Sequence, residues 1–597
     1  MTFDLAVHQN VGDAFAERVA AHPERAALTL YRGSAAPGHD TVDYAELARR
    51  AGLRAAWLAE RLPLGERVLL VLPTGAEFVE YYLGCLLAGL VAVPAPVPGG
   101  GASATDRVAA IVEDCRPALA IAPAGGGAEL AEQFRGHGLA DLAVVEAAEA
   151  GPGTAPAGFA DGRRPDRDTV AVVQYSSGST GTPRGVVLTH GSVLANTRSM
   201  NTHGKLGPED TFGSWLPLHH DMGLFVLLTA GLLFGSRVVL MSPADFVRRP
   251  VEWLRMLAKF GCTVTAGPNF AFDLCTRLVP DAKLVGLDLT GVRYILNGSE
   301  PIHLPTMRAF NERFAAYGLS SRAVSPCYGL AEATAYVSAS RPAGDPLVFL
   351  ADQAALQHAE RPELLPVPAG AQGAAAVGKE VVGCGTLGDM ELRIVDRQTR
   401  RELADGRIGE IWLRGGNLGT GYWNRPELNA ELFDARLADS ADDRPWLRTG
   451  DLGAVLDGEL YITGRIKEIL VVRGRNFFPN DVEQEARASH EALQGFLGAA
   501  FGVTAPDERM VLVHEVNPVT PQDELPAVAS TVARRLTTAL GVPVRNVVLV
   551  RRGSVRRTTS GKIQRSAMRE RFLSGELVAL HAELEPEVQL ISAGGAG

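Results

Sequence analysis

The chain is short of cysteine, of long apolar runs and of concentrated positive charge, and each shortage removes a class of protein. Six cysteines (Cys85, Cys115, Cys262, Cys275, Cys327 and Cys384) are scattered over 597 residues with no C-x-x-C pair. That spacing fits neither a disulfide framework nor a structural zinc site, and it suits reduced thiols in a cytoplasmic protein. The longest apolar run, Gly223 to Gly235, is broken by Ser236-Arg237 and falls short of the roughly 20 residues that cross a bilayer. It reads as a buried core helix, with no membrane span. Met1-Thr-Phe-Asp-Leu5 lacks the basic and apolar stretches of a secretion signal. The net charge is −10, the pI is near 5.8, and no basic stripe interleaved with aromatics occurs, which argues against nucleic acid as a partner. Only Arg551-Arg552 and Arg556-Arg557 are locally basic. A Walker A loop is missing as well, because the run from Gly178 ends at Pro183 without Gly-Lys-Ser/Thr.

What remains is ordinary globular material, 46% hydrophobic and 21% charged, long enough for roughly four folding units. Continuous apolar runs such as Arg67-Val-Leu-Leu-Val-Leu72 suit strands buried on both faces. They alternate with helical patterns at Tyr44–Leu62 and Glu77–Ala88, which predicts parallel α/β layers. Residues 341–380, rich in Pro, Ala and Gly, are too long for an ordinary connection and read as an insertion. Short strands with turn signals then predict a β-rich subdomain, with Asp457-Gly458 as a hairpin dipeptide. From about Ile466 the pattern is that of a compact α+β domain. The predicted fold class is α/β: a large N-terminal domain, 1–465, of two layered α/β subdomains plus the β-rich part, and a small mobile α+β domain, 466–597.

The chemistry-bearing stretches lie between these elements. Tyr175–Gly185 reads Y-S-S-G-S-T-G-T-P-R-G, and eight of its eleven residues are Gly, Ser or Thr. Glycines let backbone N–H groups approach an anion without Cβ interference, and Ser176, Ser177, Ser179, Thr180 and Arg184 add hydroxyls and a fixed charge. Taken alone, the stretch is either a phosphate cradle or a solvated turn. His219, His220 and Asp221 admit a metal site, although adjacent histidines on a strand would point to opposite faces. Val264–Phe270 reads as a strand ending in a turn, and Arg293–Gly298 as another, ending at Gly298-Ser-Glu300. Such strand ends are where ligands sit in open α/β sheets. Tyr328, Gly329 and Glu332 bring a ring, a glycine and a carboxylate within five residues; the ring can stack on a base or sit in the core, and the carboxylate can hold a hard cation or cap a turn. Lys562, in T-T-S-G-K-I-Q-R, is by itself either functional or solvated.

Taken in order, the Ser/Thr/Gly cradle, L-P-L-H-H-D-M-G-L, N-G-S-E-P, Y-G-L-A-E-A-T, R-T-G-D, G-R-I-K-E and T-S-G-K-I-Q-R resemble the adenylate-forming enzymes over about residues 10–575. Within that superfamily the chain looks like a fatty acyl-AMP ligase. The resemblance implies ATP and Mg2+ as cofactors. Ser176, Ser177, Gly178, Ser179, Thr180, Gly181 and Arg184 would hold the β- and γ-phosphates. Asn297, Gly298, Ser299, Glu300, Tyr328 and Gly329 would frame adenine, Glu332 would bind Mg2+, and Asp451 with Arg465 would hold the ribose. His220 would flank the reacting carboxylate, Lys562 would be the catalytic lysine, and Lys467 the hinge. His219 stands where an aromatic ring is more usual. Met222, Phe270 and Phe272 are expected along the acyl pocket. The partners implied are a fatty or related carboxylic acid and the phosphopantetheine thiol of an acyl carrier protein, in polyketide or nonribosomal peptide biosynthesis. Such ligases carry an insertion that hinders the domain motion used for CoA transfer, and 341–380 looks like it. An acyl-CoA synthetase is the nearest alternative. Against an amino-acid-activating domain, the chain supplies no obvious carboxylate for an α-amino group except Asp221, which the family motif already explains, and a non-catalytic nucleotide binder does not explain both Glu332 and Lys562.

Overall fold

The apolar runs become sheet interiors. In a computed structural model, residues 5–34, 39–98, 102–149, 164–176, 183–340, 346–358, 360–367, 378–473, 475–558 and 561–592 are described. A seven-stranded sheet has the order Gly421–Tyr422, Arg184–Thr189, Val170–Ser176, Val91–Pro94, Arg67–Leu70, Leu119–Ala122, Ala143–Glu146. Its last five strands are parallel, and the first two are antiparallel additions at one edge. A nine-stranded sheet runs Thr386–Leu387, Ser338–Ala339, Val324–Tyr328, Tyr294–Asn297, Val264–Gly267, Thr211–Ser214, Arg237–Met241, Ala26–Tyr31, His39–Asp43. Its six inner strands are parallel. One apolar cluster, with Tyr81, Phe225, Trp253 and Phe310 fully buried, packs the helices against these sheets.

The β-rich part is a four-stranded antiparallel sheet of Met390–Val395, Gly409–Gly415, Leu447–Leu456 and Glu459–Arg465. Its predicted hairpin turn is present: Asp457 and Gly458 have φ of +52° and +78°, the left-handed pair that a two-residue turn of this kind requires. Within residues 341–380, Val348–Asp352 pairs with Gly378–Val382 as an antiparallel hairpin. After residue 470 a second four-stranded sheet follows, in the order Gly498–Thr504, Glu508–Glu515, Asn546–Val550, Ala579–Glu583. Alternate residues of these strands feed two separate clusters. One lies under the helices Pro479–Ser489 and Leu525–Leu540, the other under Arg565–Leu573 and Pro586–Ser592.

Two expected elements take another form. The apolar run after Asp221 is a π-helix over Met222–Thr229 that becomes α-helical at Ala230–Leu233. A π segment of this kind is rare and tends to occur at functional sites. The strand at Val264 ends at Gly267, and Asn269–Leu278 is a helix, with Pro268 as its extended cap. No helix among the described residues is long and apolar enough to cross a membrane.

Candidate active site

The two large sheets meet the β-rich part along one cleft, and the predicted residues come to it from strand ends. Ser176 closes the strand Val170–Ser176 and pairs with Arg184, which opens the returning strand. The turn between them therefore hangs on a closed hairpin. Ser177, Gly178, Ser179, Thr180 and Gly181 lie outside the described residues. The Ser176 carbonyl accepts from Arg107 Nη2 at 3.4 Å, and the Arg184 guanidinium stands 5.6 Å from the Tyr422 ring centre.

At the end of the strand Tyr294–Asn297, Asn297 is fully buried, and its Oδ1 has no hydrogen-bond partner among the described residues. A buried acceptor left open at a strand end is costly unless a ligand donor fills it. The next residues are shaped by close packing. A methyl group at Gly298 would meet Cys327 Sγ at 2.6 Å, and Ser299 takes a φ of +69°. Ser299 Oγ lies 3.7 Å from Met222 Sδ. Glu300 accepts from the Phe270 backbone N–H at 2.7 Å, and burial pushes its carboxyl up. Gly329 admits no side chain, since a Cβ there would stand 1.7 Å from the Ala335 carbonyl oxygen.

Asp451, 4% exposed, is gripped on both oxygens: Tyr328 Oη donates to Oδ2 at 2.8 Å and Arg465 Nε to Oδ1 at 2.7 Å. Each oxygen keeps a second lone pair for a ligand hydroxyl. Burial first, and then the Asp451 charge, push the Tyr328 phenol well up, so it stays a donor. Glu332 accepts from Tyr422 Oη at 2.6 Å on Oε1, and its Oε2 has no hydrogen bond among the described residues. No group of three or more His, Cys, Asp or Glu could enclose a metal ion among the described residues. A hard cation at Glu332 would thus take its other ligands from phosphate oxygens and water, a pattern common for Mg2+.

The histidine pair differs from expectation. His219 and His220 lie on a turn before the π-helix, and their rings are 4.5 Å apart, side by side rather than on opposite faces of a strand. His219 Nε2 is buried without a partner among the described residues. Burial holds both imidazoles neutral: His219 is pushed down to about 3, and His220 well below its usual range with help from His219, Arg107 and Lys562. Arg107, from the helix Ala102–Cys115, is a cation at this site that belongs to no recognisable motif; only its place in the fold brings it here.

Phe272 also moves. On a strand, Phe270 and Phe272 would share a face; on a helix they are separated by about 200°. Phe272 is fully buried and packs on Phe310 at 5.0 Å and Trp253 at 6.1 Å, in the core behind the cleft. Phe270 faces the other way, toward Trp215 at 5.9 Å and toward Gly561. Met222 is nearly buried, at the head of the π-helix.

Gly561 joins the two ends of the chain. It has φ +88°, and a methyl group there would come within 2.8 Å of the Phe270 ring. Lys562 follows it into the cleft, where its charge is felt by His220, Asp221 and Glu300, and it in turn feels Arg465 and Asp451. Burial, then Arg465, push its ammonium down, while the three carboxylates oppose that. Its backbone N–H donates to Thr558 Oγ1 at 3.0 Å. Arg565 anchors this loop with bonds to Glu483 at 2.7 and 2.8 Å and to Glu468 at 2.7 Å. Lys467 is exposed in the single turn Ile466–Glu468.

The hairpin 348–382 reaches the same small sheet domain. Lys379 Nζ donates to both oxygens of Asp481 at 2.7 Å, Asn476 N donates to the Gln357 carbonyl at 3.0 Å, and Gln353 Nε2 to the Ala539 carbonyl at 3.4 Å. On its other side, Glu380 accepts both guanidinium arms of Arg308 at 3.0 Å.

Two large mixed sheets, a β-rich sheet and a smaller α+β part that brings Lys562 toward Asp221, Glu300 and Asp451 make up the adenylate-forming fold. A model of the AMP-binding enzyme family matches residues 15–423. The long-chain-fatty-acid–AMP ligase FadD26 of Mycobacterium bovis is 38% identical over 589 residues, covering 95% of this chain and 97% of that protein. A structure from a study of fatty acyl-adenylate ligases of E. coli and L. pneumophila superposes with a TM-score of 0.84 at 30% identity, covering 96% of this chain and 98% of that one. A fatty acyl-adenylate ligase from L. pneumophila, solved in complex with acyl adenylate and pyrophosphate, does so at 0.73 and 27%, covering 97% and 98%. The chain belongs to the AMP-binding enzyme family, as an adenylate-forming ligase of the fatty acyl-AMP type that uses ATP.

Proposed function

We propose that this protein activates a fatty or related carboxylic acid with ATP, releases pyrophosphate, and passes the acyl group from the acyl-adenylate to the phosphopantetheine thiol of an acyl carrier protein. The observation that carries the reading is Lys562 standing in the cleft among Asp221, Glu300 and Asp451 while Gly561 packs on Phe270. Two anions must meet at the α-phosphorus as negative charge spreads over phosphoryl oxygens, and cations fixed in advance lower that barrier. In this reading Ser176 to Arg184 hold the β- and γ-phosphates, Asn297 to Glu300 with Tyr328 and Gly329 frame the adenine, and Asp451 with Arg465 holds the ribose. Neutral His220 flanks the substrate carboxylate without adding a competing charge. Glu332 holds Mg2+, which supplies charge neutralisation on the phosphates when bound. Met222 and Phe270 line the start of the acyl pocket.

The chain then works as two parts, 1–465 and 466–597, hinged at Lys467. The closed setting forms the mixed anhydride away from water, and opening admits the thiol. The contacts of the 348–382 hairpin to Asp481, Asn476 and Ala539 favour a carrier protein over CoA as the acceptor, because they restrain the small part from the large rotation that CoA transfer uses in relatives without an insertion. The test is direct. Purified enzyme is given a fatty-acid panel and ATP with either a holo acyl carrier protein or CoA, and products are read by mass spectrometry. Acylated carrier with little acyl-CoA is expected; efficient acyl-CoA formation would overturn the acceptor assignment.

A further inference from the structure

Tyr422 has no part in the reading above, yet its buried hydroxyl touches the carboxylate assigned to the cation. Its Oη donates to Glu332 Oε1 at 2.6 Å, and its ring lies 5.6 Å below the Arg184 guanidinium. The main chain is fixed with unusual redundancy. Gly421–Tyr422 pairs with Val186–Val187 at the sheet edge, Thr420 N donates to the Val187 carbonyl at 2.9 Å, and Trp423 N to the Gly185 carbonyl at 2.7 Å. Asn429 then clamps the residue from outside, accepting from Tyr422 N at 2.7 Å and donating to its carbonyl at 2.8 Å. Phe433 packs edge-on against the ring at 5.3 Å. Glu332 is tied to the same segment, since Gly419 N donates to its carbonyl at 2.9 Å. One phenol therefore joins the strand leaving the phosphate turn, the turn that bears Glu332, and the segment 419–423.

We infer that Tyr422 is a positioning residue for Glu332: it occupies one carboxylate oxygen, fixes the plane of the group, and leaves the second oxygen for a divalent cation bound to nucleotide phosphates. The inference rests on the assignment of Glu332 to that cation. A carboxylate free to rotate would either lose orientation or chelate with both oxygens; a donor held on one oxygen prevents both. Partners of this kind are worth about 10- to 100-fold in metal affinity. Arg184, set over the same ring, places the phosphate-side charge and the cation carboxylate on one support, so a shift of either is resisted by the other.

The test compares the full-length protein with Tyr422→Phe, which removes only the hydroxyl and keeps the packing on Phe433. Mn2+ binding to the complex with a non-hydrolysable ATP analogue is titrated by electron paramagnetic resonance. Tyr422→Phe should weaken Mn2+ binding about 10-fold or more. The KM for the fatty acid should stay unchanged, and raised Mg2+ should restore the rate. Asn429→Ser, which loosens the clamp without touching the hydroxyl, should weaken binding in the same direction and by less. In a Glu332→Gln background, Tyr422→Phe should add no further loss. A purely structural tyrosine would lower the melting temperature and leave Mn2+ affinity alone. Unchanged Mn2+ affinity in Tyr422→Phe, or an equal further loss in the Glu332→Gln background, would overturn the inference. If the wild-type protein makes no acyl-adenylate, the functional reading fails instead, and the Mn2+ comparison still reports on Tyr422.

Discussion

At the scale of single residues, the site is built from groups held in one protonation state by burial and one partner. Asp451 is held between Tyr328 and Arg465, and Arg565 compensates Glu483, whose carboxyl burial pushes up. The histidines show the reverse case. His190, His219 and His514 are pushed down from 6.5 to about 4, 3 and 4 by burial. Their folded values lie below the unfolded ones, so between about pH 4 and 6.5 the unfolded chain binds more protons. Stability must therefore fall as pH drops through that window and be insensitive to these groups above it. His514 is the cleanest probe, being fully buried with Nε2 unpartnered among the described residues and lying on the strand Glu508–Glu515 of the small part. Thermal melts should show a lower melting temperature at pH 5 than at pH 7.5, and His514→Gln should narrow that gap; an unchanged gap would contradict the assignment of a buried neutral ring. Among the described residues, Asn297 Oδ1 and His219 Nε2 are buried at the site with no hydrogen-bond partner.

At the scale of elements, strands were legible wherever β-branched runs were continuous, and the helices Tyr44–Ala59, Ala76–Leu87 and Leu525–Leu540 follow their apolar periodicity. The Ser176–Arg184 hairpin, the Asp457-Gly458 turn and the strand end at Asn297 were readable for the same reason, because local chemistry decides them. What local chemistry does not decide was misread. Pro268-Asn-Phe begins a helix, since proline suits a helix start as well as a turn, and that switch sent Phe272 into the core. The histidine pair left the expected strand because Pro217 and the π-helix bend the chain there. Arg107 and Tyr422 carry no motif, and only tertiary pairing brings them to the site. The hairpin 348–382 is the element with the plainest consequence. Its lysine, Lys379, is 40% exposed in its side chain and forms an ion pair worth at most about 1 kcal/mol alone. On the proposed reading it acts with the Gln357 and Ala539 contacts to restrain the small part. Lys379→Ala combined with Gln353→Ala should raise turnover with CoA relative to carrier protein by a few-fold, measured as acyl-CoA formed per acyl-adenylate consumed; an unchanged ratio would place the acceptor preference elsewhere.

At the scale of the whole molecule, the proposed function puts acyl-adenylate formation where charge from the two parts converges. The large sheets supply Arg107, the hairpin leading to the phosphate turn, and Glu332; the small lobe supplies Lys562, brought in by a glycine against Phe270 and braced by Arg565 on Glu468 and Glu483. On the proposed reading neither part carries the full set of charges, so adenylation needs both. The most direct test follows acyl-adenylate by mass spectrometry after mixing wild-type or Lys562→Ala protein with a long-chain fatty acid, ATP and Mg2+, with ATP binding measured in parallel. The account predicts acyl-adenylate and pyrophosphate from the wild type, and a loss of several orders of magnitude in Lys562→Ala with ATP still bound. Acyl-adenylate formed by Lys562→Ala at the wild-type rate would contradict it.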